Sequence, residues 1–246
     1  LNAAAAVYSA HGFCLEAEGL LTRSLDLDKA AGRRPAQGTQ LQLASVWMRE
    51  GRLDRASAGY RDVVAADSQS ADGWRGYITA LHNAHQDFSA LDEAQRMPAA
   101  VRTTLMSDFD FLRLLGSVHA EVGNNAQAVE ILEQARARYQ AAGQPLPPDL
   151  AIQLAWTMVA GSKYAHEAPA LVAATKAQTD LSKEQRDALD DIASTLIVRT
   201  AEEAMRAQDR ARAIAVLTSA SRELSGNARI RSVLASAYLQ QGEYDK

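Results

Sequence analysis

The residues that could do chemistry in this 246-residue chain are five histidines, one cysteine and a few paired acids. His82 and His85 are three apart, a spacing that could let two imidazoles on one helix reach a single metal ion. No third ligand lies near them in sequence, so the pair reads as solvent-facing or turn residues. Asp108 with Asp110, and Asp190 with Asp191, could suggest the carboxylates of glycoside hydrolysis, but each pair is too local to flank a scissile bond. Asp108 and Asp110 fit the first turn of a helix instead, where the macrodipole favours negative charge. Cys14, beside Phe13, has no basic sequence neighbour to lower its thiol and reads as a packed, inert group. His119 reads as a packed, hydrogen-bonded histidine. The sequence carries no phosphate-cradling glycine loop, no nucleophile elbow and no His-Glu-x-x-His. These features predict a non-enzymatic chain with no catalytic, cofactor or metal site.

The elements that must carry these residues are helical. Hydrophobic residues make up 47% of the chain and aromatics only 6%, with alanine the commonest residue, a bias toward helix formers and away from strand formers. Charged residues make up 23%, enough apolar content remaining for a substantial core, so disorder is excluded. The formal charge of −4, with no basic run longer than Arg33-Arg34, offers no field for a nucleic-acid backbone. One cysteine cannot form an internal disulfide or a thiolate metal cluster. The most apolar stretch, 150–161, falls short of the roughly 20 residues of a membrane span. The start, Leu1-Asn2-Ala3, shows no initiator Met and no leader. It reads as a processing or expression boundary.

A repeat organises the whole chain. From Leu41 to Ala56 an apolar helical stripe runs through Leu43, Ala44 and Trp47 to a turn at Gly51, then a second stripe continues through Tyr60, Val63 and Val64. The same grammar recurs through Leu112, Leu115-Gly116, His119, Gly123, Ala128, Leu132 and Ala135, and again through Leu234-Ala235, Tyr238, Gly242 and Tyr244. Counting each turn residue as position 15, units begin near residues 37, 71, 109, 149, 194 and 228, with truncated units at both ends. Two of the intervals equal about 34 residues, the tetratricopeptide period.

On these residues the chain resembles the tetratricopeptide repeat family over nearly its full length. That pattern asks for a bulky residue at position 4, Leu-Gly or Leu-Ala at 7 and 8, an aromatic at 11, Ala at 20, a large residue at 24 and Ala at 27. Trp74, Tyr8, Trp47, Ala17, Ala56, Ala90, Ala128, Ala168, Ala213, Leu21, Tyr60, Leu132, Leu217, Ala135 and Ala220 fit it. Two turns depart, with His85 and Lys163 where glycine is expected, and the usual closing proline is replaced by Asp28-Lys29 and Asp67-Ser68. Extra material falls at 30–36, 97–108, 142–148 and 179–193. In the last, Ser182 and Gln185 form a capping-box pattern ahead of Leu189, Ile192, Leu196 and Ile197, predicting one long helix over 183–207. The resemblance implies an all-α fold: one α-solenoid of helix-turn-helix repeats over 1–246 in a right-handed superhelix, bent near that helix. An array ending mid-unit implies that the natural protein continues.

Stacked helix pairs make an extended surface lined by first-helix positions 2, 5, 9 and 12. Those positions fall on Gly38, Leu41, Ser45 and Met48; Asp72, Arg75, Thr79 and His82; Asp110, Arg113, Ser117 and Ala120; and Leu150, Gln153, Thr157 and Ala160. Two successive units thus repeat an Asp, Arg, Ser/Thr pattern. Asp72, Arg75, Thr79, His82, Asp110, Arg113, Ser117, Gln153 and Thr157 are the candidate binding residues. The plainer alternative is that Asp72–Arg75 and Asp110–Arg113 are ion pairs within a helix, each contributing about 0.2–0.5 kcal/mol. The carboxylate clamp of chaperone-binding members, Lys at position 5 and Asn at 9, is absent. Trp47, Trp74 and Trp156 fall at positions 11, 4 and 8 and read as packing residues, which predicts no glycan cleft built on aromatic faces.

The second half is also similar to the periplasmic repeats of the cellulose synthase operon protein C family. The similarity is carried by Leu181 to Leu189, Val198 to Glu202, Arg210 to Leu217, Val233 to Tyr244, and Asp149 to Val159 around Leu154-Ala155-Trp156. It implies a periplasmic scaffold in cellulose or exopolysaccharide export, with other subunits of a secretion complex as partners and the polymer in weak contact. The alternative is a general protein–protein adaptor. Neither reading expects nucleic acid or a membrane span.

Overall fold

A computed structural model describes residues 1–161, 164–224 and 226–241. Lys163, Gly242 and Tyr244, expected at turn and second-helix positions, lie outside the described residues. The chain divides into two compact units, Leu1–Ala135 and Arg136–Lys246. Among the described residues there are fourteen α-helices and no strand, and no helix is long and apolar enough to cross a membrane.

The first unit pairs α1 (Asn2–Ala10) with α2 (Cys14–Ala30), α3 (Gln37–Arg49) with α4 (Leu53–Ala66), and α5 (Ala71–Asn83) with α6 (Asp87–Arg96). A short α7 (Ala99–Leu105) follows, then α8 (Phe109–Glu121) and α9 (Asn125–Ala141), within which the boundary falls. The inserted stretch 97–108 is therefore a helix of its own, anchored by buried Val101 and Leu105. The second unit holds α10 (Pro148–Ala160), α11 (Ala168–Lys176), α12 (Lys183–Arg206), α13 (Arg210–Glu223) and α14 (Ala228–Gln241).

The α1/α2, α3/α4, α5/α6, α8/α9 and α12/α13 pairs close the same way. At the turn residue the backbone enters the left-handed region, with φ +71° at Gly51 and +80° at Gly123. The next amide then donates back to the carbonyl five residues earlier, Arg52 N–H to Trp47 O at 2.9 Å and Asn124 N–H to His119 O at 2.8 Å. This 6→1 bond satisfies a carbonyl that the helix end would otherwise orphan. His85 and Gln208 adopt the same conformation at φ +56° and +60°, and bonds from Gln86 to Leu81 and from Asp209 to Ala204 complete those turns. A side chain in that region costs about 1–2 kcal/mol, so the hydrogen bond and the flanking helices must hold these two turns in place.

Packing explains the small residues. Ala17, Ala56, Ala90, Ala128, Ala168 and Ala213, one per pair, are all fully buried, as positions must be where two helix backbones approach closely. At Gly116 a β-carbon would sit 2.6 Å from Leu132 Cδ2, so the Leu115-Gly116 pair and Leu132 interlock as a knob against a gap. The fully buried Leu21, Ile78, Phe111, Leu154, Met158 and Leu217 fill the space between pairs, each contributing about 1.5–3 kcal/mol of apolar burial. α12 starts where the sequence places it: Gln185 N–H donates to Ser182 Oγ at 3.2 Å while Ser182 N–H donates to Gln185 Oε1 at 3.0 Å. This capping box satisfies two orphan groups at once.

Candidate functional site

In the first unit the candidate residues sit on α5 and α8. Asp72 and Asp110 are exposed in the first turn of their helices. Arg75 does not pair with Asp72 as the helix spacing predicted; its Nη2 lies 2.7 Å from Asp108 Oδ2. Asp108 is the N-cap of α8, and its Oδ1 accepts from the amides of Asp110 at 2.8 Å and Phe111 at 3.3 Å. One carboxylate thus closes the start of α8 and ties it to α5. Reasoning within one helix missed this because Asp108 belongs to the next repeat.

Thr79 turns its hydroxyl inward along its own helix, donating to Arg75 O at 2.8 Å. His82 Nδ1 lies 2.5 Å from Asp87 Oδ1, and the mostly buried Asp87 opens α6, so this pair staples the turn around His85. His85 itself is exposed. No group of three or more His, Cys, Asp or Glu among the described residues is placed to hold a metal ion. Arg113 is exposed and Ser117 half-buried on α8. His119, packed as expected, departs from expectation in its hydrogen bonding: Nδ1 is buried with no partner, and burial pushes the imidazole pKa below its ordinary value. Partial burial strips the protonated ring of some of its hydration and so disfavours it.

The second unit corrects the register. Leu154 and Ala155 are fully buried, so they occupy positions 7 and 8 of a unit that begins at Pro148, the first residue of α10. The count from 149 is one residue late. Leu150 and Thr157, expected on the binding face, are buried at 3% and 4% exposure. Thr157 donates to Gln153 O at 2.8 Å and presents nothing outward, and Gln153 is half-buried. Trp156 moves from a packing position to position 9, and it is 39% exposed. It is no packing residue of the kind Trp74 is, at 6% exposure with its indole N–H donated to Ser68 O. Trp47 is intermediate and donates its N–H to Glu18 Oε1 at 2.7 Å.

Trp156 lines an open cleft of about 520 Å³ with Asp191 and Thr195 of α12, and with Asn227 and Arg229 at the start of α14. Arg229 Nη1 donates to Thr195 Oγ1 at 3.2 Å, and Asn227 Oδ1 accepts from the Ile230 amide as the cap of α14. Sequence reading could have found this cleft by fixing the unit from Leu154-Ala155 and not from its turn.

Known proteins agree with this architecture. Residues 204–246 match the family model described as tetratricopeptide repeat. No curated protein matches the sequence. Among solved structures, pilF of Pseudomonas aeruginosa is similar at 17% identity and a TM-score of 0.60, over 96% of this chain and 95% of that one. MamA is similar at 18% identity and 0.57, over 74% and 94%. Nearly identical TPR-like repeats of a candidate kinesin light chain from Podosopora anserina are similar at 22% identity and 0.60, over 72% and 91%. Likenesses at these identities show the fold, an all-helical array of paired helices like that of tetratricopeptide-repeat structures, and residues 204–246 carry the match to that family's model.

Proposed function

We propose that this chain is a non-enzymatic scaffold whose first-helix faces receive a partner, and that it works in the periplasm as part of a cellulose or exopolysaccharide export system. The observation that carries the scaffold reading is the stacking of helix pairs. Neighbouring pairs bury one another's apolar sides, and the first-helix positions left exposed, Asp72, Asp110, Arg113 and Trp156 among them, are where such a stack meets a partner. Proteins bind such repeats through side chains on that surface, without any group undergoing chemistry. The export reading draws on the resemblance of 181–246, and of the segment around Leu154-Ala155-Trp156, to cellulose synthase operon protein C repeats. The partners on this reading are other subunits of the export complex.

The test is genetic and cellular. In the source bacterium, an in-frame deletion of these residues is expected to abolish secreted polysaccharide while synthesis continues, and fractionation is expected to recover the protein in the periplasm. Cytoplasmic recovery with normal polysaccharide secretion would replace this reading with a general protein–protein adaptor.

A further inference from the structure

The cleft around Trp156 sets an exposed indole among polar and charged side chains. A tryptophan ring is the largest apolar face a side chain can offer, and a ligand that covers an exposed one gains that apolar burial. Trp156 is exposed on a first helix, and among the described residues no hydrogen bond engages its indole N–H. The cleft is also lined by an acceptor-only carboxylate, Asp191, by a donor-only guanidinium, Arg229, and by Thr195 and Asn227. The volume of about 520 Å³ falls within the roughly 300–1,000 Å³ of small-ligand sites.

The two charges narrow the class of ligand. An anion placed on the ring meets Asp191, and a cation meets Arg229. A neutral, hydroxyl-rich molecule satisfies both, because each hydroxyl donates to the carboxylate or accepts from the guanidinium in a charge-assisted bond. The axial C–H face of a pyranose ring carries slight positive charge and matches the negative face of the indole. A peptide anchored at this site would want an apolar pocket for its side chain, and the cleft walls beside Trp156 are polar. From these residues we infer that the Trp156 cleft is a subsite for a neutral pyranose oligosaccharide, stacked on the indole and hydrogen-bonded by Asp191 and Arg229. This deepens the scaffold reading by adding direct contact with a sugar polymer, and the site stands on its own geometry whether or not export is the context.

The test is a titration of the ¹⁵N-labelled 246-residue chain with cellohexaose, following the three indole N–H resonances. The Trp156 indole and the Asp191, Thr195 and Arg229 amides are expected to shift together, saturating with a Kd of about 1 mM, while Trp74 stays still. Trp156→Ala should weaken binding at least about tenfold, and Asp191→Asn severalfold, both with unchanged circular dichroism. A neutral hexasaccharide of another linkage that shifts the same resonances also supports the site. Immobile resonances with every neutral sugar, preference for an acidic oligosaccharide or a peptide, or shifts that persist in Trp156→Ala would each overturn it. A negative titration leaves the scaffold reading intact, since that reading fails only with the deletion and fractionation experiment.

Discussion

Trp74 and Trp156 are the same residue on equivalent first helices, α5 in the first unit and α10 in the second, and the fold treats them in opposite ways. Trp74 at position 4 faces the core, and its N–H is satisfied by Ser68 O at 2.9 Å. Trp156 at position 9 faces out over a polar cleft. The polar residues around them follow the same division. In the first unit Arg75, Asp108, Thr79, His82 and Asp87 hydrogen-bond or pair with other parts of the unit. In the second, Asp191 is exposed beside an uncovered ring. Position within the repeat, more than residue type, decides whether a side chain becomes structure or surface.

The largest contrast in stability lies between the two tryptophans. Trp74→Ala should destabilise the chain by about 3–5 kcal/mol through the cavity it leaves, whereas Trp156→Ala should cost about 1 kcal/mol or less; thermal melts of the two variants would show it, and equal losses would erase the distinction. The turns come next. Gly123→Val forces a β-branched residue to φ +80° and should cost about 2 kcal/mol, while Gln208→Gly relieves the same conformation and should raise the melting temperature.

A smaller contrast separates two aspartates. Asp108→Ala removes the cap of α8 and the partner of Arg75 together, a loss of about 1–2 kcal/mol, and denaturant midpoints should show Asp191→Ala within about 0.5 kcal/mol of the parent. The smallest effect concerns acid. Burial lowers the folded-state pKa of His119, so as pH falls below about 6.5 the unfolded chain takes up the proton first and stability is lost. Above that pH both states are neutral and nothing changes. His119→Phe should make the acid side of the melting-temperature profile shallower by a small amount, and an unchanged slope would show that His119 contributes nothing to it.

The repeat was legible from the sequence because its requirements are steric and local. The alanines of the second helices lie where helix backbones meet, the glycines at 51 and 123 take a conformation that other residues resist, and Ser182 with Gln185 can cap only the helix that follows them. Two things were hidden. The Arg75–Asp108 pair joins residues from different repeats, which helical spacing within α5 cannot see. The register of α10 slipped because it was counted from a turn without glycine, and a slip of one residue rotates a helix by about 100°. That rotation exchanged Thr157 for Trp156 on the outer face and concealed the most binding-competent group of the second unit.

Helix α10 presents Trp156 to solvent while α5 encloses Trp74. Acrylamide quenching of chains retaining one tryptophan each, the other two replaced by phenylalanine, tests it most directly. Trp156 should be quenched severalfold more readily than Trp74 and should emit at longer wavelength. Equal shielding of the two would return Trp156 to the core and remove the cleft.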